Sequence, residues 1–140
     1  MMQIHFQVEG DPKGKGRPRF SRVGSFTKVY TDKQTLGYEA KITYFAKQAI
    51  GSTEPLKTAV SVYLYVRLPI PQSYPKKRRD ACLNGSELPC KKPDIDNIAK
   101  TYLDAMNGVI FVDDTQVIDL HVKKVYAEKT GVDVMVTEAE

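Results

Sequence analysis

Between Lys91 and Gln116 the chain reads KKPDIDNIAKTYLDAMNGVIFVDDTQ, a run that leaves little freedom in how it folds. Pro93 biases Lys92 towards extended backbone and cannot continue a helix from upstream. A helix is therefore expected to start near Asp94, whose carboxylate can accept from the unpaired amides of the first turn. Ile95, Ile98, Tyr102, Ala105 and Met106 recur at spacings of three and four and give one apolar stripe, while Asp96, Lys100 and Asp104 step by four along a polar face. Asn107-Gly108 predicts a left-handed stop. Val109 to Val112 then reads as a short buried strand emptying into the Asp113-Asp114 turn.

A helix rising about 1.5 Å per residue carries the chain roughly 20 Å from Asp94 to Asn107, and a returning strand at about 3.3 Å per residue recovers most of that distance. Asp114 is thus expected beside Asp94 and Asp96. Three carboxylates so close repel one another unless a hard divalent cation neutralises them, and Mg²⁺ or Mn²⁺ suits an all-oxygen ligand set. The competing structural readings are a helix dipole stabilised by Asp94 and Asp96, and ordinary turn chemistry at Asp113 and Asp114. A helix-loop-helix calcium site is excluded by Ile98, Ala99 and Ala105, which stand where an oxygen ligand, a glycine and a glutamate are required.

The string KPDIDNIAKTYLDAMNGVIFVDDTQV resembles the signature of RusA-type Holliday junction resolvases, a phage and prophage family of magnesium-dependent endonucleases. That signature joins an Asp-x-Asp-Asn helix start to a later Asp-Asp-x-Gln-Val turn. The segment GDPKGKGRPRFSRVGSFTKVYTDKQT is similar to the family's opening, and the Asp80–Cys90 loop departs from its pattern. The resemblance implies a catalytic set of Asp94, Asp96, Lys100 and Asp114, with the three aspartates as metal ligands and four-way DNA as the substrate. Two cuts related by symmetry then call for a twofold homodimer, because this short chain offers one carboxylate cluster. Two alternatives stay open on the residues themselves: a nuclease for flaps or forks, and a DNA-binding module without catalysis.

Charge placement points to nucleic acid. The formal net charge is +4, and two stretches, Asp11–Lys33 and Arg67–Lys92, carry seven basic residues each of the 21 in the chain. Lys13, Lys15, Arg17 and Arg19 from the first, and Lys76, Lys77, Arg78, Arg79, Lys91 and Lys92 from the second, are the expected phosphate contacts. Loops of this kind track a backbone without reading bases, and their binding weakens with salt. GKGRPR lacks the spacing of a nucleotide-binding phosphate loop.

The 140 residues suit one domain spanning 1–140, and 41% hydrophobic against 27% charged residues is globular. Without an apolar run long enough to span a bilayer or a hydrophobic leader, a soluble protein of the bacterial cytoplasm is expected. Cys82 and Cys90 read as free thiols, and His121 as a surface or partly packed residue.

Gln3 to Val8 alternates as a strand, and Gly10 to Pro18 opens an irregular arm. A helix capped by Thr31 or Asp32 runs to Ile50 with Leu36, Ala40, Ile42, Phe45, Ala46 and Ala49 as its apolar face. Val60, Val62, Leu64 and Val66 alternate within a long strand, and a basic loop follows it. Ile118, Leu120 and Val122 form one face of a strand from Gln116 to Tyr126; a turn at Glu128–Gly131 brings back Val132, Val134 and Val136. The fold class predicted is α+β: a two-layer domain with a mixed sheet, two main helices and a C-terminal β-hairpin.

Overall fold

In a computed structural model of the protein, residues 2–14, 19–30 and 33–139 are described. β1 (Gln3–Glu9) alternates as its sequence does, with Ile4, Phe6 and Val8 buried. β2 (Arg19–Val23) and β3 (Phe26–Tyr30) pair antiparallel around Gly24, whose φ of 61° suits the reversal. The open arm expected there is thus in part a hairpin. Lys15, Arg17 and the Thr31 or Asp32 cap lie outside the described residues.

α1 (Lys33–Ile50) buries Thr35, Tyr38, Ile42, Ala46 and Ile50. This face is rotated from the expected one: Leu36 is 53% exposed, and Tyr38 takes the inward position. β4 (Val60–Pro69) turns Val60, Val62, Leu64, Val66 and Leu68 into the core, the faces anticipated from its alternation. The basic stretch beyond it holds a helix where a loop was expected. This α2 (Lys76–Leu83) is polar on most sides, which hid it from a periodicity reading; it is pinned by Cys82, buried with Ile70 and Tyr126 in a small second core. Both cysteines are free thiols.

α3 (Ile95–Met106) buries Ile98, Tyr102, Ala105 and Met106 as its stripe requires, although Ile95 at the first turn is 45% exposed. Each large side chain fully withdrawn from water contributes about 1.5–3 kcal/mol, which fixes the rotation of the helix and so the direction of its polar face. A short 3-10 turn (Asp114–Gln116) leads into β5 (Val117–Ala127), and β6 (Gly131–Glu138) ends the described fold.

The main sheet has the order β1-β6-β4-β5, with β6 antiparallel to both β1 and β4 and β5 parallel to β4. The turn between β5 and β6 reverses the chain as a hairpin would, and β4 lies between the two strands. α1 and α3 join the core on the side of the sheet carrying Phe6, Leu64 and Val134. They are tied to each other by the buried Tyr38 and Tyr102 hydroxyls, 2.6 Å apart, and by Thr43 Oγ1, which donates to the Ala105 carbonyl at 2.9 Å. Among the described residues no helix is long and apolar enough to cross a membrane.

Candidate active site

The start of α3 is built by three contacts. Asp94 stands at the N-cap position in extended conformation, φ −70° and ψ 148°, but its carboxylate makes no capping hydrogen bond. The expected cap is therefore made by backbone alone, which leaves the exposed Asp94 carboxylate out of it, and Asp96 is exposed in the first turn. The Lys124 ammonium, reaching over from β5, donates to the carbonyls of Lys91 at 2.6 Å and Pro93 at 3.1 Å and fixes the chain's approach to the helix. Gly14 closes the third side, so near to Pro93 and Asn97 that a Cβ there would lie 3.2 Å and 2.9 Å from theirs. Gly14, the residue after Lys13, is thus packed on the helix start.

The second acidic element is organised differently. Asp113 accepts from the Thr115 hydroxyl at 2.5 Å and the Thr115 amide at 3.3 Å. Those bonds, with help from the Asn107 side chain, hold its carboxyl below the usual carboxylate range. Gln116 completes a capping box: its carbonyl oxygen accepts from the Asp113 amide at 2.8 Å, while its amide nitrogen donates to the Leu56 and Thr58 carbonyls, both at 2.8 Å. That clamp bolts the turn to the entrance of β4. Asp114, half-buried, sits in the turn so fixed. Asp113 is thus a structural cap, in line with the turn chemistry that the competing structural reading gives it. Gln116 enters the sequence reading only as the glutamine of the Asp-Asp-x-Gln-Val turn and the start of a strand, yet glutamine three residues after an aspartate is a capping-box signal.

The two elements do not meet as the sequence geometry predicted. Asp94 and Asp96 lie at the N-terminal end of α3; Asp113 is tethered to Asn107 at the other, and the 12 residues between span about 18 Å. Val109 to Val112 do not return along the helix as a strand. Val109 and Ile110 donate to the Met106 carbonyl, Gly108 donates to that of Phe111, and the segment folds into turns that bury Ile110 and Phe111. Among the described residues no three histidine, cysteine or acidic side chains converge closely enough to hold a metal ion. The donors are chemically right for Mg²⁺ or Mn²⁺, but one copy of the chain does not gather them. Lys100 is exposed on the polar face and pairs with Asp104 at 3.8 Å, not with Asp96.

Comparison with known proteins decides the family. The model of the endodeoxyribonuclease RusA family matches residues 9–137, nearly the whole chain. The chain belongs to the RusA endodeoxyribonuclease family. A Bacillus subtilis (strain 168) relative, the uncharacterized protein YqaN, is 34% identical over 143 aligned positions that take in 96% of each protein.

As a RusA-family endodeoxyribonuclease the chain must meet phosphates, and its cations differ in readiness to do so. Lys76 and Lys77 at the start of α2, together with Lys13 and Lys92, are exposed. Arg78 is engaged within the protein: its guanidinium pairs with Glu87 at 2.9 Å and lies 3.7 Å over the Tyr74 ring, and the pair pushes Glu87 down and Arg78 up from their ordinary values. Arg79 donates to the Pro71 carbonyl at 3.4 Å, and the Lys91 ammonium lies 5.4 Å from the Tyr126 ring centre. Tyr126, in the small second core, is pushed up to about 12 by desolvation. Arg19 contributes backbone to β2; its side chain is outside the described residues. On the far face of the sheet His121 stacks on Tyr63, 4.7 Å between ring centres, and its Nε2 meets Asp119 at 3.0 Å, a packed surface role as expected.

Proposed function

We propose that this RusA-family protein is a magnesium-dependent, structure-selective endonuclease that resolves four-way DNA junctions by paired symmetric cleavage, working as a homodimer in the bacterial cytoplasm. The observation that carries the reading is the start of α3. Two exposed aspartates, Asp94 left out of the cap and Asp96 in the first turn, stand at the end of a rigid helix on which Gly14, the residue after exposed Lys13, is packed. In this reading Asp94, Asp96 and Asp114 carry the cation chemistry, with Mn²⁺ as a substitute, and Lys100 supplies positive charge to the phosphate undergoing attack. One chain leaves Asp114 apart from the pair, so the reading requires that they meet in the working assembly. Lys13, Lys15, Arg17, Arg19, Lys76, Lys77, Lys91 and Lys92 hold the DNA arms through phosphates, with Arg78 and Arg79 behind them.

The deciding experiment compares cleavage of a four-way junction, a fork and a linear duplex at matched salt, with magnesium and with chelator. Cleavage of the junction alone, in magnesium alone, is expected. Equal cutting of the fork would replace junction resolution by a general branched-DNA nuclease, and Asp96→Asn that still cuts would sink the assignment of the site.

A further inference from the structure

A cavity of about 480 Å³ lies between α1 and the residues that follow β1, lined by Asp11, Lys13, Gln34, Gly37, Tyr38 and Lys41. One wall is fixed: the Tyr38 hydroxyl meets that of Tyr102 at 2.6 Å and also meets the Lys13 backbone. The Lys41 ammonium donates to the Glu9 carbonyl, which leaves two of its three donors for another acceptor. Lys13, Gln34 and Lys41 are all exposed, so the cavity opens to water. Its lining sets two ammonium groups and a carboxamide against one carboxylate, that of Asp11, and this balance favours an anion.

Gly37 is the observation that points to a ligand. It stands inside α1, past the first turn, where glycine weakens a helix relative to alanine. Its φ is not positive, and a Cβ built there would meet no described atom within 4 Å. Neither backbone conformation nor packing among the described residues therefore asks for glycine. Gln34, Gly37 and Lys41 follow one another at spacings of three and four, so they share one face of the helix, with Gly37 as the gap between two polar side chains. The gap lets a tetrahedral oxyanion lie against the helix backbone with donors on either side.

The cavity also borders the acidic helix start. Lys13 is one Cα step of about 3.8 Å from Gly14, and a Cβ on Gly14 would lie 2.9 Å from that of Asn97, the residue after Asp96. We propose that the cavity seats a backbone phosphate of the DNA strand that runs on to Asp94 and Asp96, held by Lys13, Gln34 and Lys41 against the bare helix wall at Gly37. The identity of the ligand rests on the nuclease reading above. Gln34 and Lys41 are positioning residues: a strand pinned in this seat presents its neighbouring phosphates to the start of α3 in one register.

Gly37→Leu fills the seat without removing a charge, and leucine suits an exposed helical position. A thermal midpoint equal to or above that of the unmodified protein is expected. Affinity for a four-way junction, measured in chelator, should fall at least tenfold, and the slope of log affinity against log salt should flatten by about 0.9, the share of one lost phosphate contact. Lys41→Gln should flatten the slope by the same amount. Undiminished junction affinity in a folded Gly37→Leu protein overturns the inference. If leucine lowers the midpoint, Gly37→Ala decides, with a loss of at least threefold expected and unchanged affinity counting as refutation. Inorganic phosphate is the second probe, added at constant ionic strength: binding that Gly37→Leu abolishes, with junction affinity intact, means a seat for a free anion and defeats the DNA assignment. Failure of the seat and failure of the nuclease reading look different. A protein that binds the junction with the expected dependence on Gly37 but never cuts it in magnesium keeps the seat and loses the nuclease reading, whereas normal binding and cutting by Gly37→Leu removes the seat alone.

Discussion

Gly14 packs so closely on Asn97 that a Cβ at position 14 would lie 2.9 Å from the Asn97 Cβ, with the Pro93 Cβ only 3.2 Å away. The contact joins the arm to the Asp-x-Asp-Asn start of α3, and neither neighbour can move cheaply: one sits in the helix and the other in the ring that precedes it. Gly14→Ala should therefore lift the arm from the helix while leaving the sheet intact. Junction binding and nicking are expected to fall at least tenfold with a change in thermal midpoint of only a few degrees. Unchanged nicking would show that the arm's docking is irrelevant to the site.

The two aspartates of the Asp-Asp pair should separate cleanly. Asp113 is a cap whose carboxyl is held low by Thr115, so its contribution to the turn is present above the ordinary value of 3.8 and is lost as pH falls through its lower folded value. Asp113→Asn, which keeps an acceptor oxygen, should retain most of the cutting at neutral pH. Asp114→Asn should lose two orders of magnitude or more. Nick rates of the two variants at one pH decide this.

Gln116→Ala removes one acceptor and two donors that fasten the acidic turn to β4. A loss of about 1–3 kcal/mol in urea unfolding is expected, accompanied by a larger proportional loss of cutting because the turn carrying Asp114 is freed. Gln116→Glu tests the same point from another side, since it keeps the acceptor and removes both donors.

The Tyr38 and Tyr102 hydroxyls form a buried pair in which the Lys13 backbone also meets Tyr38. Tyr38→Phe strands the Tyr102 hydroxyl and should cost about 1–3 kcal/mol, more than Tyr102→Phe, which leaves Tyr38 its Lys13 contact. Burial raises both phenols above the ordinary 10.0. Stability from the neutral pair is therefore complete below pH 10.0 and falls as pH rises towards the folded values. The double Phe variant should lose that part of the alkaline slope, measured as midpoint against pH.

Cation engagement predicts unequal salt effects on DNA binding. Lys76→Ala with Lys77→Ala should flatten the slope of log affinity against log salt by up to about 2, since each free lysine that meets a phosphate releases about 0.9 of a counterion. Arg78→Gln should change the slope much less, because the Glu87 carboxylate already holds that guanidinium.

Much of the fold was legible because it follows from alternation and helical spacing. β1, β4 and β6 present the faces their valines and leucines require, and α3 runs from Asp94 to Asn107 as its proline and glycine punctuation demands. α2 was not legible: Lys76 to Arg79 carry no apolar stripe, and the helix is held by the single inward Cys82. The rotation of α1 departs from its apolar pattern because, although Leu36 is more apolar than Tyr38, the buried hydroxyl of Tyr102 supplies the partner that lets a tyrosine face inward. In the acidic stretch the residue types were readable and their convergence was not. The run Val109 to Val112 has the composition of a strand, but Ile110 and Phe111 fill the core in turns, so the distance along α3 is not recovered by the segment that follows it.

The position of β6 has a consequence for how the protein comes into being. Gln3 finds its neighbour at Thr137, and among the described strands β4 is joined to β1 through β6, which follows both in the chain. During translation the arm and both long helices emerge with no complete platform beneath them, and long-range pairing of this kind closes slowly. A growing chain therefore has no continuous sheet from β1 to β4 until β6 slides between them.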